Sequence, residues 1–239
     1  MVLPDCPDQD GTLSYLVSRF QQFLGAQIEH EAGRYPLLRA ASVLRGGIRG
    51  LLIGGWGSGK TGLVLRLMME GFSVEGDELV MVREKSVLAV PATLRIRQSE
   101  LRSAGPLANA IVASPSSEDW HGRHTYAVEP CAMAPDGTAP AAGVAPAKTA
   151  PAKTWHIDAG PAKLLIFLEP NHGGTSILTG MGREEAFAGL VDMSHFPKEA
   201  RGAAAAALRI AAIQARCLKL KLGGLDRAAW HLHRAFSEA

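Results

Sequence analysis

The run Gly54-Gly55-Trp56-Gly57-Ser58-Gly59-Lys60-Thr61 constrains this chain more than any other feature. It matches GxxxxGK(S/T), the pattern of a loop whose backbone amides curl around phosphate oxygens. The flanks suit such a loop. Leu51-Leu52-Ile53 in front reads as a buried strand, and Thr61–Glu70 behind carries helical apolar spacing that ends at Gly71. Glycines let successive N–H groups face inward, and the start of the helix adds its positive end. In a loop of this kind the Lys60 ammonium neutralises the β- and γ-phosphates, and the Thr61 hydroxyl takes a place on Mg2+. Gly54, Gly57, Ser58, Gly59, Lys60 and Thr61 are therefore the expected phosphate-binding residues, with Thr61 also a metal ligand.

The surrounding pattern is rich in short strands. Ser42–Leu44 and Leu51–Ile53 are expected to pair as a tight hairpin through RGGIRG. Phe72–Val74, Leu79–Val82 and Val87–Val90 alternate with charged turns, which indicates a meander and not strict βαβ repetition; Leu94–Arg97 alternates apolar and basic residues. Lys163–Glu169 is a nearly continuous apolar run, as in a buried strand. Glu184–Leu190, Glu199–Arg216 and Asp226–Phe236 read as helices, and Cys217–Leu222 as a strand with one wet face.

Two segments differ from this core. Thr12 to about Ile28 carries a helical apolar stripe that reads as core packing. From about 132 to 154, prolines are interleaved with alanine and APAKT occurs twice in tandem. That composition cannot offset its ordering entropy, so a mobile surface insertion is expected there. With 239 residues the chain reads as one α/β domain, 1–239, with a strand-rich centre and flanking helices.

Charge argues against two classes of partner. Lys plus Arg at 25 against Asp plus Glu at 23 leaves +2, which gives no electrostatic case for nucleic acid or a membrane surface. No stretch approaches the ~20 apolar residues of a spanning helix. The acidic start MVLPDCPDQD lacks the basic residues of a signal peptide, and Cys6, Cys131 and Cys217 form no CxxC pair. A cytoplasmic, reducing location is the expectation.

The acids Asp77 and Glu78 follow one helix after the loop. Adjacent residues at a strand end point to opposite sides. One acid can accept a proton from an attacking hydroxyl while the other holds metal water, although the pair equally suits a solvated turn. Arg95, Arg97 and Arg123 can clamp phosphate or substrate, or can lie on solvated strand faces. His231 and His233, two apart on a helix, do not share a face and make a poor metal pair.

With these residues in order, Leu37–Val82 resembles HPr kinase/phosphorylase and, more closely, the short HPr-kinase-like serine kinases, those of lasso-peptide maturation included. The matching elements are the strand and loop, then Met69-Glu70-Gly71-Phe72, then Asp77-Glu78-Leu79-Val80. Pro161–Glu169 and Cys217–Asp226 also look similar to later strands of that family. The resemblance implies a phosphoenolpyruvate-carboxykinase-like P-loop kinase core, ATP and Mg2+, and phosphoryl transfer to a serine or threonine hydroxyl of a peptide or protein. A precursor peptide is among the substrates it implies. By position Asp77 is the catalytic base, working with Lys60, and Glu78 serves the metal. Full-length relatives assemble as rings, which leaves a homo-oligomer open for this chain without settling its oligomeric state. Two residues depart from the pattern: Arg39, which can still hold a phosphate or substrate anion, stands where relatives have a histidine near the transferred phosphate, and Trp56 is bulky for its place in the loop.

Two other readings use the same residues. One is the same chemistry on a small hydroxylated metabolite. The other is a P-loop ATPase or nucleotide switch, with Leu164–Glu169 as an apolar strand ending in the metal-side acid.

Overall fold

The computed structural model describes residues 35–118, 123–129 and 158–239. The helix expected at about 12–28 and the insertion expected at about 132–154 lie outside the described residues.

β1 (Leu37–Arg45) and β2 (Ile48–Ile53) form the expected hairpin, longer than its apolar segments alone suggested because Gly46 and Gly47 make the whole turn. The glycine-rich loop leads from β2 into α1 (Lys60–Met69), followed by β3 (Ser73–Gly76), β4 (Leu79–Val82) and β5 (Val87–Ala89). Next come β6 (Leu94–Arg97), one-turn helices at Gln98–Ser103 and Gly105–Leu107, α2 (Ala108–Val112), β7 (Ser116–Glu118) and β8 (His124–Val128). β9 (Leu164–Pro170), β10 (Ile177–Gly180), α3 (Arg183–Asp192) and β11 (Ser194–His195) follow. A single turn at Lys198–Ala200 leads to α4 (Arg201–Gln214), β12 (Arg216–Leu222) and α5 (Leu225–Ser237).

Nine strands form a mixed sheet with the path β10-β12-β9-β2-β1-β4-β5. β9 runs parallel to both β2 and β12, and the other pairs are antiparallel. One edge of β1 is shared: Leu37–Arg39 pair with β4, while Ser42–Leu44 pair with β3. The chain is thus an α/β fold with a mixed, strand-rich central sheet and flanking helices. A second, three-stranded sheet has the order β6-β8-β7.

Side-chain alternation sorts the central strands onto two cores. Leu51 and Ile53 of β2 and Leu165 and Phe167 of β9 pack with α3 and α4; Leu52, Ile166 and Leu168 pack on the other face with α1, α5 and the small sheet. Burial on both faces explains why Leu164–Leu168 is continuously apolar. The expected wet face of β12 is Lys219 and Lys221, and Lys219 pairs there with Glu185 at 3.1 Å. Among the described residues no helix is long and apolar enough to cross a membrane.

Between the hairpin and β3 lies a buried ion pair that no spacing rule in the sequence reveals. Arg49 of β2 and Glu75 of β3 are each 7% exposed, and the guanidinium grips the carboxylate through two bonds of 2.7 Å. Ser42 Oγ donates to the same carboxylate at 2.6 Å, and Arg49 also donates to the Asp158 carbonyl at 2.9 Å. This fork joins β1, β2 and β3 two residues before Asp77.

Candidate active site

Three segments converge where β2 ends. The Gly54 amide donates to the Arg39 carbonyl at 3.5 Å, and the Ala40 amide donates to the Glu78 carbonyl at 3.3 Å. Arg39 is paired with Leu79 across β1 and β4. Position 39 of β1 therefore stands between the loop and the acid pair.

The loop is shaped to receive an anion. Gly59, the residue before α1, is left-handed at φ 83°, and a Cβ there would come within 2.6 Å of Leu222. A Cβ on Gly54 would meet Ser58 Oγ at 2.7 Å. Any larger side chain at either position would fill the turn. Among the described residues no backbone carbonyl accepts from the amides of Gly57, Gly59, Lys60 or Thr61. The first amides of a helix have no partner within it, so these donors remain for a phosphate. Lys60 is half-buried and donates to the Gly54 carbonyl at 2.9 Å. Burial pulls its pKa below the ordinary value; Asp77 opposes that, Arg39 reinforces it, and Glu78 opposes it.

Asp77 and Glu78 lie in the bend between β3 and β4 and differ in burial. Asp77 is 5% exposed, whereas Glu78 faces solvent. Thr61 Oγ1 donates to Asp77 Oδ2 at 2.8 Å, which ties the loop to the acid pair. Asp77 Oδ1 and Ser58 Oγ are buried without a hydrogen-bond partner, two of three such side-chain atoms among the described residues. Buried polar atoms are rarely left so, and these two line the place a phosphate and its metal would take. The donor set thus suits a nucleotide with Mg2+.

Burial pushes the Asp77 pKa up from 3.8 to about 6; the Thr61 hydrogen bond and Lys60 hold it down, while Glu78 and Glu100 push it further up. Because this acid binds its proton more tightly when folded, its stabilising contribution is full at low pH and is lost as pH rises through about 6. In the ligand-free protein, Asp77→Asn is expected to gain about 3 kcal/mol relative to wild type between about pH 4 and pH 7. Urea unfolding of both proteins across that range checks this. A stability difference that does not change with pH would mean that the carboxylate is not held in a desolvated place.

Arg39 is half-buried with its guanidinium over the Trp56 ring, 5.0 Å from the centroid. The other basic residues lie further along the chain. Arg97 and Arg123 line an open groove of about 640 Å3 together with Ser99, Glu118, His124 and Tyr126. Glu100, in the turn that follows Arg97, accepts from the Arg97 amide at 2.8 Å, and its charge reaches Asp77. Arg95 is exposed on β6 and is not among the residues lining that groove.

Glu169, the acid at the end of the apolar β9, is exposed and lies 4.0 Å from Lys219; the acid that touches Thr61 is Asp77. His231 and His233 diverge as their spacing requires. His231 meets the Ser176 carbonyl at 3.2 Å, and His233 meets Glu70 at 3.0 Å. Sequence reasoning missed two contributors, the Arg49–Glu75 pair and Glu100. For Glu100 a signal existed, since an acid three residues after a strand end can reach back to close a turn, but Arg97 is an unusual residue to begin one. No protein-family model matches the chain, and no curated protein matches it.

Proposed function

We propose that the protein is a Mg-ATP-dependent kinase that transfers the γ-phosphoryl group to a serine or threonine hydroxyl of a peptide or protein. The fold would be a P-loop kinase of the phosphoenolpyruvate-carboxykinase-like, HPr-kinase type. One observation carries this reading. The loop's own hydroxyl, Thr61, touches a buried carboxylate whose second oxygen has no partner and whose pKa lies near 6. A nucleotide switch needs an acid for the metal, but it does not need a desolvated base poised near neutrality.

In this mechanism the loop amides from Gly57 to Thr61 hold the phosphates and Lys60 leaves the Gly54 carbonyl for the β- and γ-oxygens. Thr61 and Glu78 would hold Mg2+, which when bound would supply charge neutralisation of the phosphates. Asp77, ionised at neutral pH, takes the proton from the acceptor hydroxyl as that oxygen attacks the γ-phosphorus. The bond from phosphorus to the β–γ bridging oxygen breaks, and ADP leaves with the electron pair. The open groove edged by Arg97 and Arg123 is a candidate surface for a polypeptide acceptor. The similarity of the loop and of Asp77–Val80 to kinases that act on precursor peptides favours that acceptor class.

Mg-ATP at millimolar concentration is expected to raise the melting temperature of wild type and to leave Lys60→Ala nearly unmoved, as read by a thermal shift assay. ADP release then separates the chemistries. A kinase consumes ATP in proportion to added hydroxyl acceptor, whereas turnover indifferent to every acceptor would support an ATPase.

A further inference from the structure

We infer that Trp56 is a positioning residue for Arg39, holding its guanidinium over the indole at the mouth of the loop so that its N–H donors meet the terminal phosphoryl group of bound Mg-ATP. The inference rests on reading the loop as a Mg-ATP site. It explains two side chains that the mechanism above leaves without a task.

Trp56 is 81% exposed at the tip of the loop, so it does not serve the core. Among the described residues its ring has one cation partner, Arg39, and no aromatic one. Arg39 is anchored at its root, and its head rests over the Trp56 ring. Its amide donates to the Met193 carbonyl at 2.9 Å, and its carbonyl accepts from Gly54. Among the described residues no carboxylate or carbonyl accepts from its guanidinium. A half-buried cation without an acceptor carries a desolvation cost that an incoming anion would relieve.

Stacking suits that task. A guanidinium resting on an indole face uses its π-surface, and its five N–H donors lie in the plane and stay free. Lysine could not do this, because its ammonium has no flat face. The two cations also act on the same space: the Arg39 charge lowers the affinity of Lys60 for its proton. Like charges gathered around unpaired amides mark a place for a polyanion. Lys60 comes from the helix side of that place and Arg39 from the side of the acid pair, where the transferable phosphoryl group would lie.

The test is a double-mutant cycle read by calorimetric titration with Mg-ATP and with Mg-ADP. Arg39→Ala is expected to weaken Mg-ATP by about tenfold and Mg-ADP by no more than about twofold. Trp56→Ala should weaken Mg-ATP by about fivefold, and Trp56→Phe, which keeps a ring face, should stay within about twofold of wild type. In the Arg39→Ala background, Trp56→Ala should cost nothing further. Four results would overturn the inference: undiminished Mg-ATP affinity in Trp56→Ala, the same loss from that change with and without Arg39, equal losses for Mg-ATP and Mg-ADP, or failure of Trp56→Phe to rescue. The first two leave the loop's role intact. No binding of Mg-ATP by wild type would overturn the inference and the reading of the loop together.

Discussion

Asp77→Asn is expected to bind Mg-ATP within a few-fold of wild type and to lose phosphoryl transfer by about two orders of magnitude or more. The asparagine keeps the size of the side chain and can still accept from Thr61 Oγ1, so the loop should keep its shape. It cannot take a proton. The Oδ1 position, buried and unpartnered in the wild type, would carry an amide group in its place. Lys60→Ala should fail differently, losing nucleotide affinity and transition-state stabilisation together, because its charge faces the phosphates throughout. Single-turnover rates and binding constants measured on both variants separate the two roles. Transfer by Asp77→Asn within about threefold of wild type would remove Asp77 as the base.

Arg49→Ala is expected to destabilise the fold by about 3–5 kcal/mol, the largest loss foreseen for a single change away from the loop. The cause is the carboxylate left behind: Glu75 would stay buried with only the Ser42 hydroxyl against its charge. Replacing both partners, as Arg49→Met with Glu75→Leu, should recover most of that loss, since apolar groups of similar volume need no partner. Chemical denaturation of the two proteins measures the difference. If Arg49→Ala cost under about 1 kcal/mol, the pair would be behaving as a solvated surface bridge. The pair also bears on function. β3 leads directly into Asp77, so loosening Glu75 should blur the 2.8 Å contact to Thr61 even where the protein stays folded.

The parts of the molecule set by local pattern were legible in the sequence. The loop, α1 behind it, Leu79–Val82, and the helices α3 to α5 all follow from glycine placement or apolar period, and the structure moves their ends by only a few residues. The strand expected at Phe72–Val74 begins at Ser73 and runs to Gly76, because Phe72 turns into the core against Phe236 and His233. β7, Ser-Ser-Glu, is exposed throughout and offers no alternation to read. β10 is nearly as exposed and exists through its pairing with β12.

The same division holds at the site. The placement of Asp77 and Glu78 one helix after the loop was legible, and their different burial was not. The contact of Arg39 with Trp56 was not legible either, since it depends on the β1–β2 register that sets position 39 beside the loop. The grip of Arg49 on Glu75 likewise needs both neighbours of β1 in place, β2 on one edge and β3 on the other. Such long-range pairings leave no periodic trace in a single chain.

The most direct measurement follows the γ-phosphoryl group itself. The wild-type protein is incubated with Mg2+, γ-labelled ATP and a serine- and threonine-containing peptide library, and the peptides are read by mass spectrometry and by label. Label is expected on peptide hydroxyls, with one ADP formed for each phosphate gained and none transferred by Asp77→Asn above about one hundredth of the wild-type rate. Label released only as inorganic phosphate, at a rate indifferent to the peptides, would contradict phosphoryl transfer to a hydroxyl acceptor and leave a nucleotide hydrolase in its place.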